Sequence, residues 1–326
     1  VNQHQASPLE FAWFALALAA LALWLVRTHA GRQAFQHAPH RPHQLGIPHL
    51  LGVLFLYVAI QSLRQALLPI DPHAPWPSWN QAMFALVVSQ FILAGVAMII
   101  ACRRFATGPR GLGLLPPRPF ATAPLALLYF LVAAGLTLLT LTLTIWVSQA
   151  LDYQQVQQHV LLKRLAQDPP TISIVLMAVS AIVGAALSEE LLFRGIVQNA
   201  LIALFAYQHH PTATPTPADL AKPTTSADSA ISNDRRTPIT PDTILPAAAL
   251  PAPPVLARWT GIILTALIFA LCHADWQQMP ALVVLAICLG YAYERHGNLL
   301  LPLLIHALFN AVMVTFTLLQ STSPTP

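Results

Sequence analysis

Apolar stretches near or above 20 residues recur along this chain of 326 residues, and about 20 is the length a helix needs to cross the hydrocarbon core of a bilayer. They fall at about 9–26, 47–68, 80–102, 121–148, 171–206, 257–274, 279–294 and 299–319. The pattern predicts an all-α protein, a polytopic transmembrane helix bundle of about eight helices. Composition agrees: 56% of the residues are apolar, 9% are charged and the mean hydropathy is +0.61, whereas an ordinary soluble domain is about 25% charged. Charges this sparse cannot cover a water-soluble surface, which excludes a cytosolic enzyme, a nucleic-acid binder and a disulfide-stapled secreted module. The net charge of +4 resides in loops and suits an anionic membrane surface.

The fifth segment is too long for a simple span. Its 36 residues at 1.5 Å each reach about 54 Å, so it is expected to tilt, break or project. Basic residues set the orientation. Arg27, Arg32 and Arg41 lie in the first loop and Arg103, Arg104, Arg110 and Arg118 in the third, while the second, residues 69–79, has none. Loops one and three are thus expected on the cytoplasmic side with both termini outside, although Lys163 and Arg164 then fall outside as well. The first apolar segment lacks a basic leader and a small-residue cleavage pattern, and is expected to be retained as a membrane helix. Cys102, Cys272 and Cys288 form no CxxC pair and read as small buried hydrophobes.

Residues 208–256 differ in kind. This stretch holds ten of the 29 prolines, mixed with Thr, Ala, Ser and Asp, and reads as a disordered extramembrane loop. It divides the chain into an N-terminal group of about four membrane helices, 1–170, and a second membrane region, 171–320, interrupted by the loop.

Ionisable groups inside membrane helices are costly and mark functional sites by default. Three clusters qualify. Glu189 and Glu190 precede Arg194 in one apolar helix; Glu190 and Arg194, at i and i+4, can pair on one face, which leaves Glu189 turned about 100° away and free for other work. Two adjacent carboxylates at depth exceed what one arginine can neutralise. His273 closes the sixth apolar segment, four residues after Phe269. His306 and Asn310, also four apart, share one stripe of the last helix and should face the bundle interior; hydrogen bonding between helices is the lesser alternative. Together the clusters supply a general base, oxyanion donors and metal ligands, an inventory sufficient for hydrolysis by a water that Glu189 deprotonates.

In this order the clusters resemble the CPBP family of intramembrane proteases, also called CAAX prenyl proteases or type II CAAX endopeptidases. The motifs EExxxR, FxxxH and HxxxN stand here as Glu189-Glu190 with Arg194, Phe269 with His273, and His306 with Asn310, and the run Gly290-Tyr291 to Gly297-Asn298 is similar to the family's segment before its last motif. The resemblance covers about residues 171–319. It implies that Glu189 activates water, that Glu189, His273 and His306 bind a divalent metal such as zinc or hold the water, that Asn310 helps hold the oxyanion, and that Glu190 and Arg194 support them. A metal-free glutamate mechanism would need the same side chains. The implied substrate is a membrane-associated or lipidated protein or peptide, while the basic loops and the lack of a targeting signal suit a multi-pass protein of a bacterial plasma membrane. Neither HExxH nor GxSxG occurs, so zincin and serine-hydrolase chemistry are not indicated. Ser188 is a poor candidate nucleophile, and the histidines His37, His40, His43 and His49 read as part of a lipid-facing loop. Two other classes stay open: a non-catalytic scaffold or bacteriocin-immunity-like protein of the same fold, and a proton-coupled transporter.

Overall fold

The computed structural model describes residues 8–116, 119–151, 160–165, 167, 169–209, 252–273 and 276–321. Among them run eight long helices, α1 (Pro8–Arg27), α2 (Ile47–Leu67), α3 (Trp76–Arg104), α4 (Pro119–Ala150), α5 (Thr171–Tyr207), α6 (Val255–Leu271), α7 (Met279–His296) and α8 (Leu300–Ser321), with short helices at Pro109–Leu112 and Val160–Leu165. The described residues hold no strand, only an isolated bridge between His43 and Phe105. The Pro-rich stretch 208–256 lies, for residues 210–251, outside the described residues.

The protein is an all-α, multi-pass membrane protein, but not every helix is long enough to span alone. Five, α2, α3, α4, α5 and α8, are long and apolar enough to cross a membrane, while α1, apolar over Phe11–Arg27, and α6 are shorter. The 17 residues of α6 reach about 26 Å, less than the roughly 30 Å of hydrocarbon, and α7 ends in Glu294, Arg295 and His296. Another expectation is corrected at the cysteines. Cys102 is exposed, on an outward face of α3, while Cys272 and Cys288 are partly buried and pack against the core.

The core is built where α5 is enclosed by α3, α6, α7 and α8. Leu191, Leu192, Phe193, Ile196 and Val197 of α5 are buried there with Ala266 and Phe269 of α6 and Ala286 and Tyr293 of α7. By contrast α2 buries only Leu50 and Val53 and presents Leu51, Phe55, Val58 and Leu63 outward, as a helix at the lipid boundary does. Polar side chains of α4 are returned to its own backbone: Thr140, Thr142, Thr144 and Ser148 each donate to the carbonyl four residues back, at 2.8 to 2.9 Å. That satisfies their hydroxyls in a medium without water.

The long α5 is one continuous helix that widens along its middle. Two π-helical stretches, Val179–Ala185 and Glu190–Gln198, flank the single α-helical turn Ala186–Glu189.

Loops one and three meet at one end of the bundle. Gln44 N donates to Arg104 O at 2.8 Å and Ala106 N to Pro42 O at 3.1 Å. Arg41 pairs with Glu294 of α7, which also takes Arg258 of α6 at 2.9 Å. At the opposite end Arg164 donates to Pro72 O at 2.9 Å and to Ala74 O, and its guanidinium lies 3.9 Å from the Trp76 ring. The basic loops therefore share an end, as alternation of spans and the charge asymmetry require.

At the first end the turn after Pro109–Leu112 docks on the α7–α8 turn through Leu299 N to Gly113 O at 3.0 Å. Gly113 takes φ +84°, and a Cβ there would overlap the Gly297 carbonyl oxygen. Gly113→Ala is expected to cost about 2 kcal/mol or more, read as a drop of several degrees in melting temperature in detergent. Gly52→Ala, where a Cβ meets nothing within 4 Å, should leave the melting temperature unchanged or slightly higher.

His43, in the first loop, accepts from Leu45 N through Nδ1 at 3.2 Å and packs on Phe105. Burial, then the charges of Arg41 and His40, push its pKa down to about 4. The unfolded chain, with a histidine pKa near 6.5, takes up the proton first. The contribution of neutral His43 to stability is thus complete above about pH 6.5 and is lost as pH falls toward 4. Thermal unfolding between pH 7 and 4 should accordingly fall less steeply in His43→Gln than in the wild type.

Candidate active site

Glu190 and Arg194 both lie in the second wide turn of α5 and are wholly buried, each 0% exposed. Arg194 Nη1 donates to Glu190 Oε1 at 2.9 Å, and Nη2 reaches Ala286 O of α7 at 3.3 Å. Phe269 of α6 lies under the guanidinium, 4.9 Å from ring centroid to Cζ, a cation–π contact that a desolvated arginine favours. The same Glu190 Oε1 accepts from His306 Nδ1 of α8 at 2.9 Å. One carboxylate oxygen thereby ties α5 to α8, and its arginine extends the tie to α6 and α7.

With its Nδ1–H committed to Glu190, neutral His306 has its lone pair on Nε2. That atom stands 3.9 Å from Glu189 Oε2. Glu189 is the less enclosed of the two glutamates, with 16% of its side chain exposed, yet Oε2 itself is buried without a hydrogen-bond partner among the described residues. Glu190 Oε2 is likewise buried without a partner among the described residues, so the two glutamates differ through Glu190 Oε1, which is held by Arg194 and His306, while Glu189 faces the second nitrogen of that imidazole.

His273 sits in the turn just past α6, not on the helix as the apolar run to 274 suggested. The helix ends at Leu271, where Cys272 N bonds back to Ile268 O and Phe269 O. Its Nδ1 donates to Phe269 O at 2.8 Å and its ring rests 4.6 Å from the Phe269 ring. Phe269 also meets His306 edge-on at 6.2 Å. Both imidazoles are thus anchored through Nδ1 and share one aromatic wall. Asn310, one turn beyond His306, donates through Nδ2 to Ala181 O in the first wide turn of α5 at 2.7 Å.

The structure therefore joins Glu189, Glu190, Arg194 and His306, packs His273 on Phe269, which also meets His306, and engages Asn310 with backbone. The resemblance implied Glu189, His273 and His306 as metal ligands. Among the described residues no group of three His, Cys, Asp or Glu side chains is disposed to hold a metal ion; Glu189 and His306 face each other without a third, so the donors as placed do not make a three-ligand zinc site.

Other residues enter the site that no motif marks. Tyr57 of α2 packs edge-on against Phe193 at 6.3 Å and, with Cys272, stands within electrostatic range of Glu189. Gln90 of α3 accepts from Ser180 Oγ at 3.2 Å, both buried. A glutamine within an apolar helix was a visible signal for Gln90; nothing in sequence singles out Tyr57.

Residues 242–312 match the family model of the Rce1-like type II CAAX prenyl endopeptidases. Over that segment the chain is similar to the Rce1-like family. The matched segment covers less than a quarter of the chain and contains Phe269, His273, His306 and Asn310. Glu189, Glu190 and Arg194 lie before it in sequence and reach it through the Glu190–His306 and Arg194–Ala286 bonds. Comparison with curated proteins and with solved structures gives no match.

Because Glu190 and Arg194 are buried together, removing one strands the other's charge. Arg194→Met is expected to destabilise the protein by about 3–5 kcal/mol, and the double variant Glu190→Gln/Arg194→Met to recover most of that loss, as read from melting temperatures in detergent.

Proposed function

We propose that the chain is an intramembrane endopeptidase that hydrolyses a peptide bond of a membrane-associated protein or peptide, using water activated between Glu189 and His306. The observation that carries the reading is the 3.9 Å approach of His306 Nε2 to Glu189 Oε2 inside an apolar bundle, with the imidazole tautomer held by Glu190. Two hydrogen bonds of about 2.8 Å diverging at about 90–105° from one water oxygen span about 4.0–4.4 Å, close to the observed separation. A water there donates one hydrogen to each base and turns its lone pair toward an approaching carbonyl carbon.

As the water oxygen bonds to that carbon, its proton passes to Glu189 and the carbonyl oxygen becomes an oxyanion. His273, anchored through Nδ1 to Phe269 O, is proposed as the oxyanion's partner. Glu189 then returns the proton to the leaving nitrogen as the C–N bond breaks, leaving a carboxyl and an amine terminus. Glu190 and Arg194 orient His306 and keep the region electrically balanced. The match of residues 242–312 supports this class of reaction. A prenylated or otherwise lipidated C-terminal peptide is the substrate class the reading favours, since a lipid anchor would deliver it at bilayer depth, and the grouping of basic loops at one end fits a bacterial plasma membrane.

The test uses the full chain in proteoliposomes with internally quenched, membrane-anchored peptides, including a prenylated one ending in a CAAX sequence. Glu189→Gln and His306→Ala should each lower kcat by about 10²–10⁴ while the melting temperature of Glu189→Gln stays near that of the wild type. Full turnover by Glu189→Gln would instead leave the polar cluster a scaffold.

A further inference from the structure

The direction in which Glu189 and Glu190 face depends on the first wide turn of α5, Val179–Ala185. Each residue advances an α-helix by about 100°, and a π-helical turn takes up one residue more than an α turn. If this stretch relaxed to α-helix, everything after it would rotate by about 100° relative to Thr171–Ala178, and the carboxylates would leave α8. Its sequence, Val-Ser-Ala-Ile-Val-Gly-Ala, contains no proline and nothing local that demands a wide turn. The cause lies in what grips it.

Two side chains do so, from opposite neighbours. Gln90 of α3 accepts from Ser180 Oγ at 3.2 Å, and its carboxamide occupies the space a side chain at position 184 would need: a Cβ on Gly184 would overlap Gln90 Oε1. Asn310 of α8 donates to Ala181 O at 2.7 Å, supplying a partner to a main-chain carbonyl in a medium where an unmet one is costly. Gln90 is 7% and Ser180 1% exposed, so their bond does not compete with water; the Asn310 bond is part-buried. A buried glutamine in a membrane helix that merely packed would not need a glycine opposite it; here the glycine makes room for the amide.

We infer that Gln90 is a positioning residue for the reaction: with Asn310 it clamps the wide turn of α5 and so sets the approach of Glu189 to His306. The clamp acts through the turn and touches no reacting atom. It rests on the endopeptidase reading for its kinetic consequence, but its geometric consequence can be read without turnover.

Both are measured on the full chain in proteoliposomes. With the quenched prenylated CAAX peptide as probe, Gln90→Leu should lower kcat about tenfold or more, with KM within about twofold and the melting temperature within a few degrees. Gly184→Ala should impair the wild type similarly but add nothing in a Gln90→Ala background, where the Cβ has room. Independently of activity, the imidazole ¹⁵N resonances of His306, identified by their loss in His306→Gln, should show the hydrogen-bonded Nδ1–H tautomer in the wild type and lose that signature in Gln90→Leu. A wild-type His306 signature in Gln90→Leu overturns the clamp, whatever its kcat, as does additivity of Gly184→Ala with Gln90→Ala. Absence of turnover by the wild type, with the signature changing as expected, would count against the endopeptidase reading and leave the clamp standing.

Discussion

The Glu190 carboxylate, sealed from solvent between Arg194 and His306, is the contact around which the interior is arranged. A bare carboxylate in such surroundings costs several kcal/mol or more, so it demands partners, and its partners come from different places in the chain. Arg194 is supplied from one turn along the same helix and His306 from more than a hundred residues on. Arg194 in turn needs more acceptors than one oxygen offers. It takes Ala286 O of α7 and rests on Phe269 of α6. A single buried charge thereby specifies how four helices meet, where apolar packing alone would tolerate sliding and rotation because lipid and leucine attract one another about equally.

From that tie follows the difference between the two glutamates. Glu190 is consumed by charge balance, and Glu189, pointing elsewhere on the helix, faces a histidine whose tautomer Glu190 has already chosen. Second-partner control of an imidazole is a recurring way to aim its remaining nitrogen. His273 repeats it with a backbone carbonyl in place of a carboxylate. Around this centre the helices differ in how firmly they are held. α5 is enclosed on several sides, whereas α2, which carries Tyr57 beside the site, is largely lipid-facing.

Much of the fold was legible in advance because lipid imposes a simple rule on sequence: long apolar runs become helices, and their ends fall within a few residues of where apolarity stops. Departures have physical causes. α3 starts at Trp76 because Pro77 suits the first turn of a helix, and α6 stops before His273 because its last amides turn back onto Ile268 and Phe269 carbonyls. The pairing of Glu190 with Arg194 was legible because an i, i+4 spacing fixes two side chains on one face. Asn310 and His306 were legible as a stripe but not in their partners, since spacing along α8 says nothing of what lies opposite.

Sequence by itself determined the solvent, the helices and the small set of polar residues that lipid cannot leave idle, because each follows from the composition of a contiguous segment. Tertiary structure alone decided which of those residues meet. The widening of α5, the placement of Gln90 against Gly184 and the choice of Glu190 as His306's partner all depend on the rotation and depth of one helix relative to others far away in the chain. Those quantities are set by close packing and by the need to pair buried charge, and no local pattern of residues records them.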